Sequence, residues 1–252
     1  MRFRLLFGIL AFIFFFSLLH GFIFGEGEER LPLLNKMLSS FILVASALFF
    51  LINFFKIPSF RKYLILISVG MFFAFIGDLI MAEVIYTPDR IIFGILFFSL
   101  THSLYILAFH SLSKFFEKQV KRYQMVIIPS LWIVGALVFI IFIYSPKMDF
   151  IMKFGTIFYT ILISSMVGMA ISCIFIEYKL YPISLGALLF MFSDTLLGNT
   201  LFHETTRNMG DVIFTTYILG QFVIIFSSLM IVKVKSEVSQ TSKPVESKGE
   251  AI

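Results

Sequence analysis

The chain has 252 residues, of which 59% are hydrophobic and only 14% are charged. Soluble domains are about 45–50% apolar and about 25% charged, so this composition excludes a soluble enzyme, a coiled coil and a disordered regulator. An outer-membrane barrel is also excluded, because its strands would alternate apolar and polar residues. The composition indicates a helical protein that crosses the membrane several times.

Neither the net charge nor the cysteine content identifies a binding partner. Lys and Arg exceed Asp and Glu by 5, and in a membrane protein such an excess indicates orientation in the lipid bilayer, with no nucleic acid partner required. Cys173 is the single cysteine, which excludes an intrachain disulfide and a Cys-based zinc site. It lies in an apolar stretch and is expected to be a small packing residue.

The apolar runs predict eight membrane-spanning helices. The first run, Leu5 to Phe24, follows a basic N-terminus and resembles a signal peptide, but no small-x-small cleavage site precedes Glu26. We therefore interpret it as a retained helix. Charged residues and prolines separate the later runs, which cover about 33–55, 63–85, 91–110, 125–144, 151–176, 180–202 and 211–232.

Residues 1–232 are thus predicted to form one all-α integral membrane domain of eight transmembrane helices. The polar residues 233–252 are predicted to form a disordered C-terminal tail. If the N-terminus is cytoplasmic, that side holds 14 of the 20 Lys and Arg residues. The chain is therefore expected to be a multi-pass protein of a bacterial inner membrane with both termini in the cytoplasm.

A weak internal repeat connects the third and seventh predicted helices. The segment from Gly70 to Asp78 aligns with the segment from Gly186 to Asp194, with a glycine, a small residue and an aspartate at the same spacing. Two parallel four-helix repeats, related by an axis along the membrane normal, would explain the similarity. Chance similarity between two Phe-rich helices would explain it as well.

Asp78 and Asp194 are the most informative residues, because each lies well inside an apolar helix. Counted from the predicted cytoplasmic ends, both lie about 20 Å into the membrane. A carboxylate near the membrane centre costs about 2.5–3.5 kcal/mol on insertion scales, so two at one depth need an explanation. Structural aspartates that are hydrogen-bonded to neighbouring helices are one explanation, and a functional pair is the other.

A functional pair would combine an acid and a base. If the two carboxyl groups face each other, desolvation and mutual repulsion would keep one protonated while the other ionises. Such a pair suits the hydrolysis of a bond that breaks through an oxocarbenium-like state, because one group donates a proton and the other stabilises the cation or orients water.

Other polar residues are candidates for the same depth. Lys36 could pair with an aspartate or bind a lipid phosphate, or its ammonium could simply reach the interface. Tyr217 and Gln221 could orient water or could make interhelical hydrogen bonds only. His102 and Tyr105 share one face of the fourth helix, where the histidine could be catalytic or could simply bond a backbone or hydroxyl partner. Asn199 follows Asp194 on the same helix and is a further candidate. Only four histidines are present, so we predict no metal site, and no motif for serine-based acyl transfer appears.

The order of these residues resembles the YhhN-like family, which includes the lysoplasmalogenases. The resemblance covers about residues 30–232. Three positions depart from the family pattern, namely Met37, Ile80 and Gly198. The matching motifs are Gly77-Asp78-Leu79-Ile80, His102-Ser103-Leu104-Tyr105, Ser193-Asp194-Thr195-Leu196-Leu197 and Tyr217-Ile218-Leu219-Gly220-Gln221.

The resemblance implies a membrane hydrolase that cleaves the vinyl ether bond of a lysophospholipid substrate, lysoplasmenyl-ethanolamine or lysoplasmenyl-choline. The products would be a fatty aldehyde and a glycerophospho-base. Asp78 and Asp194 would act jointly as acid and base, and no metal or organic cofactor would be needed.

Two other functions remain open from the sequence. A proton-coupled transporter of lipids or small solutes could use the same aspartates, although the helices have few of the Gly and Pro breaks that mark transport helices. A non-catalytic membrane adaptor could instead act through its polar tail.

Overall fold

The described residues form a bundle of eight long helices and contain no β-strand. The computed structural model describes residues 2–26, 30–203 and 209–241. All eight helices are long and apolar enough to cross a membrane, which confirms the predicted all-α class. They are α1 (Arg2–Phe24), α2 (Leu33–Phe54), α3 (Pro58–Met81), α4 (Arg90–Phe116), α5 (Lys121–Val138), α6 (Phe150–Ser172), α7 (Tyr181–Phe202) and α8 (Gly210–Thr241).

Proline and aspartate fix the starts of several helices. Pro58 occupies the first turn of α3, where its missing N–H would have no partner in any case. Asp89 caps α4 by accepting hydrogen bonds from the backbone N–H groups of Ile91 and Ile92, each at 3.0 Å. Asp149 caps α6 in the same way through Met152. These are the positions where the sequence breaks the apolar runs.

The end of α5 is irregular. A π-helical turn, Phe139–Ile143, continues α5. The side-chain amide of Asn199 donates a hydrogen bond of 2.7 Å to the carbonyl of Phe142 in this turn. Asn199 therefore connects α7 to the end of α5.

The predicted tail boundary at residue 233 is wrong, because α8 continues to Thr241. Val234 is buried, and two ion pairs hold this part of α8 against other helices. Lys235 Nζ lies 3.5 Å from Glu117 Oε1, and Glu237 Oε2 lies 2.7 Å from Lys179 Nζ. Charged residues that suggested a disordered tail therefore form ion pairs with other parts of the chain. The rest of the predicted tail, residues 242–252, lies outside the described residues.

The two halves of the bundle repeat the same neighbours. The contacts α1–α2, α2–α3 and α3–α4 recur as α5–α6, α6–α7 and α7–α8, and the contact α4–α6 recurs as α8–α2. This is the pattern of two four-helix units related by a two-fold axis along the helices. The motif glycines occupy corresponding positions, because a Cβ atom at Gly70 would meet Tyr105 of α4 and one at Gly186 would meet Gly220 of α8.

Tyr105 and Gln221 lie beside this axis. They are 116 residues apart, which is also the offset between Asp78 and Asp194. The Tyr105 hydroxyl donates a hydrogen bond of 2.7 Å to Gln221 Oε1, and both side chains are fully buried. Two equivalent positions can touch each other only near a two-fold axis, so the contact between Tyr105 and Gln221 locates the axis. Asp78 and Asp194 are equivalent positions by the same offset, and they therefore lie on opposite sides of this axis.

The start of α1 and the described end of α8 lie at one end of the bundle, the side of the termini, because the eight helices alternate in direction. We call the opposite end, which carries the α1–α2, α3–α4, α5–α6 and α7–α8 connections, the far end. Asp78 is near the end of α3 and Asp194 is in the second half of α7. The fold therefore brings both aspartates into the half of the bundle nearer the far end.

Candidate active site

A cavity of about 660 Å³ opens between α2, α3, α4, α7 and α8 at the far end. We call it the far-end cavity. Asp78 and Asp194 both line it, together with Lys36 and Tyr217. The structure thus brings together four of the eight residues that the sequence singled out.

Asp78 is held by hydroxyl groups. Its Oδ2 atom accepts a hydrogen bond of 2.5 Å from Ser40 Oγ and one of 3.1 Å from Tyr217 Oη. The residue is 7% exposed, and no basic group of the described ranges forms an ion pair with it. Its hydrogen-bond partners are therefore uncharged.

Asp194 has different neighbours. Its Oδ2 atom accepts a hydrogen bond from the hydroxyl of Tyr159. His102 Nε2 lies 2.9 Å from the same hydroxyl and 3.6 Å from Asp194 Oδ2. The imidazole is fully buried, whereas the Asp194 side chain is 12% exposed. Asp194 therefore lies beside a histidine, whereas Asp78 accepts hydrogen bonds from two hydroxyl groups.

Besides His102, three predicted residues do not line the far-end cavity. Tyr105 and Gln221 pair with each other one helical turn below Tyr217, on the side of the termini. They support the helices that carry the site. Asn199 lines neither this cavity nor the cleft described below, and its amide contacts the end of α5. The structure therefore places Asn199 outside the candidate site.

Lys36 pairs with an aspartate that the sequence analysis did not consider. Lys36 Nζ lies 3.8 Å from Asp211 Oδ1 and 6.0 Å from the ring centroid of Phe214. Asp211 also accepts hydrogen bonds from the backbone N–H groups of Arg30 and Leu31, at 2.6 and 3.1 Å. Asp211 thus connects the start of α8 to the segment before α2, above the cavity.

A narrow apolar cleft of about 70 Å³ lies beside the far-end cavity, between α4, α5, α6 and α7. Gly94, Gly135 and Gly198 line this cleft. Asp194 lines the cleft and the cavity at once, as do Met81, Phe98 and Leu197. A carboxyl group therefore lies where a cavity that carries charged side chains meets an apolar cleft.

The sequence analysis missed Ser40, Tyr159 and Asp211. Ser40 lies one helical turn after Lys36, so its position on the same face could have been predicted. Tyr159 lies in a Phe-rich helix, and Asp211 lies at a helix start where an aspartate is common. Nothing in their local spacing connects these two residues to Asp78 or Asp194.

The fold and the site define a multi-pass membrane protein with two carboxyl groups in one cavity. A sequence model of the YhhN family matches residues 31–228. The chain therefore belongs to the YhhN family, and this membership is consistent with a hydrolase of the lysoplasmalogenase type. No curated protein and no solved structure shows a significant match to the chain.

Proposed function

We propose that the protein hydrolyses the vinyl ether bond of lysoplasmalogens to a fatty aldehyde and a glycerophospho-base. The observation that carries this proposal is the position of the carboxyl groups. Asp78 and Asp194 line one cavity, and Asp194 also lines the apolar cleft beside it. A single-chain lipid with its headgroup in the cavity and the start of its chain in the cleft would present its ether bond to both.

The chemistry requires four proton transfers. A carboxylic acid donates a proton to the vinyl carbon that is remote from the ether oxygen, which leaves an oxocarbenium ion. A carboxylate stabilises this cation and accepts a proton from water as the water oxygen attacks the carbon bound to oxygen. The resulting hemiacetal gives its hydroxyl proton to the first carboxyl group, which is now a carboxylate. The second carboxyl group, which is now protonated, donates its proton to the ether oxygen, which leaves as an alcohol. One water molecule is consumed, and an aldehyde and an alcohol are formed.

The unlike surroundings of the two aspartates support this division of labour. Asp78 contacts the hydroxyls of Ser40 and Tyr217, whereas Asp194 adjoins Tyr159 and His102. Paired carboxyl groups in different environments take different protonation states, and this difference is what acid–base catalysis uses. We assign the two roles to Asp78 and Asp194 jointly.

The test is an aldehyde assay on protein purified in detergent, with lysoplasmenyl-ethanolamine and lysoplasmenyl-choline as substrates. We expect Asp78→Asn and Asp194→Asn each to lower turnover about 100–10,000-fold, because general acid–base catalysis contributes that much. Glu26→Gln is the matched control, since it makes the same carboxyl-to-amide change at an exposed site that lines neither the cavity nor the cleft. Full activity in either aspartate variant would refute the assignment.

The same assay separates the alternatives. A transporter would release no aldehyde from any vinyl ether lipid and would show proton-coupled uptake in vesicles. An adaptor would keep its function in both aspartate variants and lose it when the C-terminal tail is deleted. Continuous helices α3 and α7 carry the aspartates, which favours the hydrolase over a transporter with broken helices.

A further inference from the structure

An ion pair lies at the rim of the far-end cavity. Glu83 follows the end of α3, Arg90 begins α4, and both residues line the cavity. Arg90 Nη1 donates a hydrogen bond to Glu83 Oε1. The side chains are 47% and 67% exposed, respectively. An ion pair this exposed adds little to stability, so stability does not explain its presence.

The backbone of Glu83 is in an unfavourable conformation for its side chain. Its φ of 58° lies in the left-handed region, which glycine and asparagine adopt much more readily than glutamate. Its N–H donates a hydrogen bond of 3.0 Å to the carbonyl of Ile80 and helps to close α3. Glycine would make the same turn without strain, so the turn itself does not require a carboxylate.

Arg90 is also placed against a local preference. It is the first residue of α4, where the helix dipole disfavours positive charge. Asp89 caps this helix through the N–H groups of Ile91 and Ile92. Glu117 has the same φ of 58° after the end of α4, so this conformation alone does not mark a functional site. Glu83 and Arg90 differ from Glu117 because both of their charges line the far-end cavity.

A second cation lines the same cavity from another helix. Lys36 on α2 is mostly buried and is paired with Asp211. The cavity therefore presents a guanidinium, an ammonium and the Glu83 carboxylate near its mouth, while Asp78 and Asp194 lie deeper. Guanidinium groups bind phosphate through two parallel hydrogen bonds, and lysine contributes a point charge.

We propose that this rim binds the zwitterionic headgroup of a single-chain phospholipid. The phosphodiester lies against Arg90 and faces Lys36, and the ammonium group of the headgroup pairs with Glu83. The inference rests on the proposed function, because the bound lipid is the substrate of that reaction. A cavity of about 660 Å³ is within the range of about 300–1,000 Å³ that is typical of ligand sites.

The first experiment compares three vinyl ether substrates, which carry phosphoethanolamine, phosphoglycerol or no phosphate group. We expect Arg90→Gln to raise the KM of the phosphoethanolamine lipid at least about 10-fold, because a charge-assisted hydrogen-bond pair is lost. The KM of the phosphate-free alkenylglycerol should not change. Equal effects on both substrates overturn the proposal.

Glu83→Gln tests the ammonium contact. We expect it to lower the preference for phosphoethanolamine over the anionic phosphoglycerol lipid at least about 5-fold, because the carboxylate that attracts ammonium and repels a net negative headgroup is lost. Lys153→Gln is the matched control for Arg90→Gln, because it also removes a positive charge and Lys153 lies near the same end of the bundle but does not line the far-end cavity. An unchanged preference in Glu83→Gln overturns this part of the proposal.

A charge swap separates recognition from a structural role. The double variant Glu83→Arg with Arg90→Glu re-forms the ion pair with its charges exchanged. If the pair only joins α3 to α4, the swap restores the wild-type KM and Tm. Recognition predicts a wild-type Tm with a KM that stays high, and a wild-type KM overturns the proposal.

A binding measurement keeps this inference distinct from the proposed reaction. Ester-linked lysophosphatidylethanolamine has the headgroup but no vinyl ether, and its binding can be followed by the Tm of the protein in detergent. If no vinyl ether lipid is cleaved, the proposed function fails. Weaker binding of the ester lipid to Arg90→Gln would still support the headgroup site, whereas equal binding to both proteins overturns it.

Discussion

At the scale of single residues, Tyr159 is the side chain that connects Asp194 to His102. Its hydroxyl donates to Asp194 Oδ2 and lies 2.9 Å from His102 Nε2, so one oxygen atom contacts both groups. Asp78 instead accepts hydrogen bonds from the hydroxyl groups of Ser40 and Tyr217. The orientation of Asp194 therefore depends on a residue of α6 that is remote in sequence.

We predict that Tyr159→Phe lowers kcat about 10–100-fold and leaves the KM nearly unchanged. The variant keeps the ring but removes a hydrogen bond to a carboxylate, which is worth about 1.5–3 kcal/mol. The measurement is aldehyde release over a range of substrate concentrations. Tyr144→Phe is the matched control, because Tyr144 is an exposed residue outside both cavities. A wild-type kcat in Tyr159→Phe would show that the hydroxyl has no part in the reaction.

The candidate site could be predicted from the sequence only where a residue is unusual by itself. Asp78 and Asp194 are conspicuous because carboxyl groups are costly inside a membrane. Tyr159 is not conspicuous, because its importance comes from a contact with a residue 35 positions away. The rotation of each helix about its own axis decides such contacts, and the local sequence does not specify it.

At the scale of helices, the crossing of α7 and α8 depends on two glycines. A Cβ atom at Gly186 would lie 2.7 Å from the carbonyl oxygen of Gly220. Because that oxygen belongs to the backbone, it cannot move aside as a side chain could. Small residues are the usual means by which membrane helices approach closely. This crossing also sets the position of Tyr217 relative to Asp194.

We predict that Gly186→Ala destabilises the protein by about 1–3 kcal/mol, the usual cost of overpacking. Gly155→Ala is the matched control, because no described atom lies within 4 Å of a Cβ at that position. That control should be neutral or stabilising by about 0.5–1 kcal/mol, since alanine favours helix more than glycine does. Thermal unfolding in detergent measures both. Equal Tm values for the two variants would contradict the close approach.

The sequence predicted the number of helices in the described residues correctly. It did not predict where a helix ends when contacts with other parts of the chain determine that end. The eight apolar runs correspond to eight helices because each must be long enough to span the bilayer. The extension of α8 past residue 233 depends on Glu117 and Lys179, which belong to other parts of the chain. The π-helical turn Phe139–Ile143 likewise has no marker in its apolar sequence.

At the scale of the whole molecule, the far-end cavity and the chain termini lie at opposite ends. The excess of Lys and Arg near the termini leads us to propose that both termini are cytoplasmic. The cavity would then open toward the outer side of the membrane. Lysophospholipids would reach it from the outer leaflet.

We predict that substrate added to intact cells is cleaved faster than substrate added to sealed, inverted vesicles with the same amount of protein. The physical reason is that the polar headgroup must enter from the far end. Labelling of Tyr86→Cys by a membrane-impermeant maleimide reports the orientation, because Tyr86 is exposed in the α3–α4 connection and the native Cys173 is buried. Equal rates in both preparations, with detergent-treated vesicles as reference, would contradict this orientation.

The contact between Tyr105 and Gln221 has a consequence for how such a site could arise. In a dimer of identical four-helix chains, a residue beside the symmetry axis would meet its own copy, and every pair of equivalent residues would be chemically alike. Covalent fusion of the two halves allows each copy to mutate alone, so that one becomes a donor and the other an acceptor. The same independence lets carboxyl groups at equivalent positions of the two halves have different neighbours. A reaction that needs two unlike groups then becomes possible in a nearly symmetric scaffold.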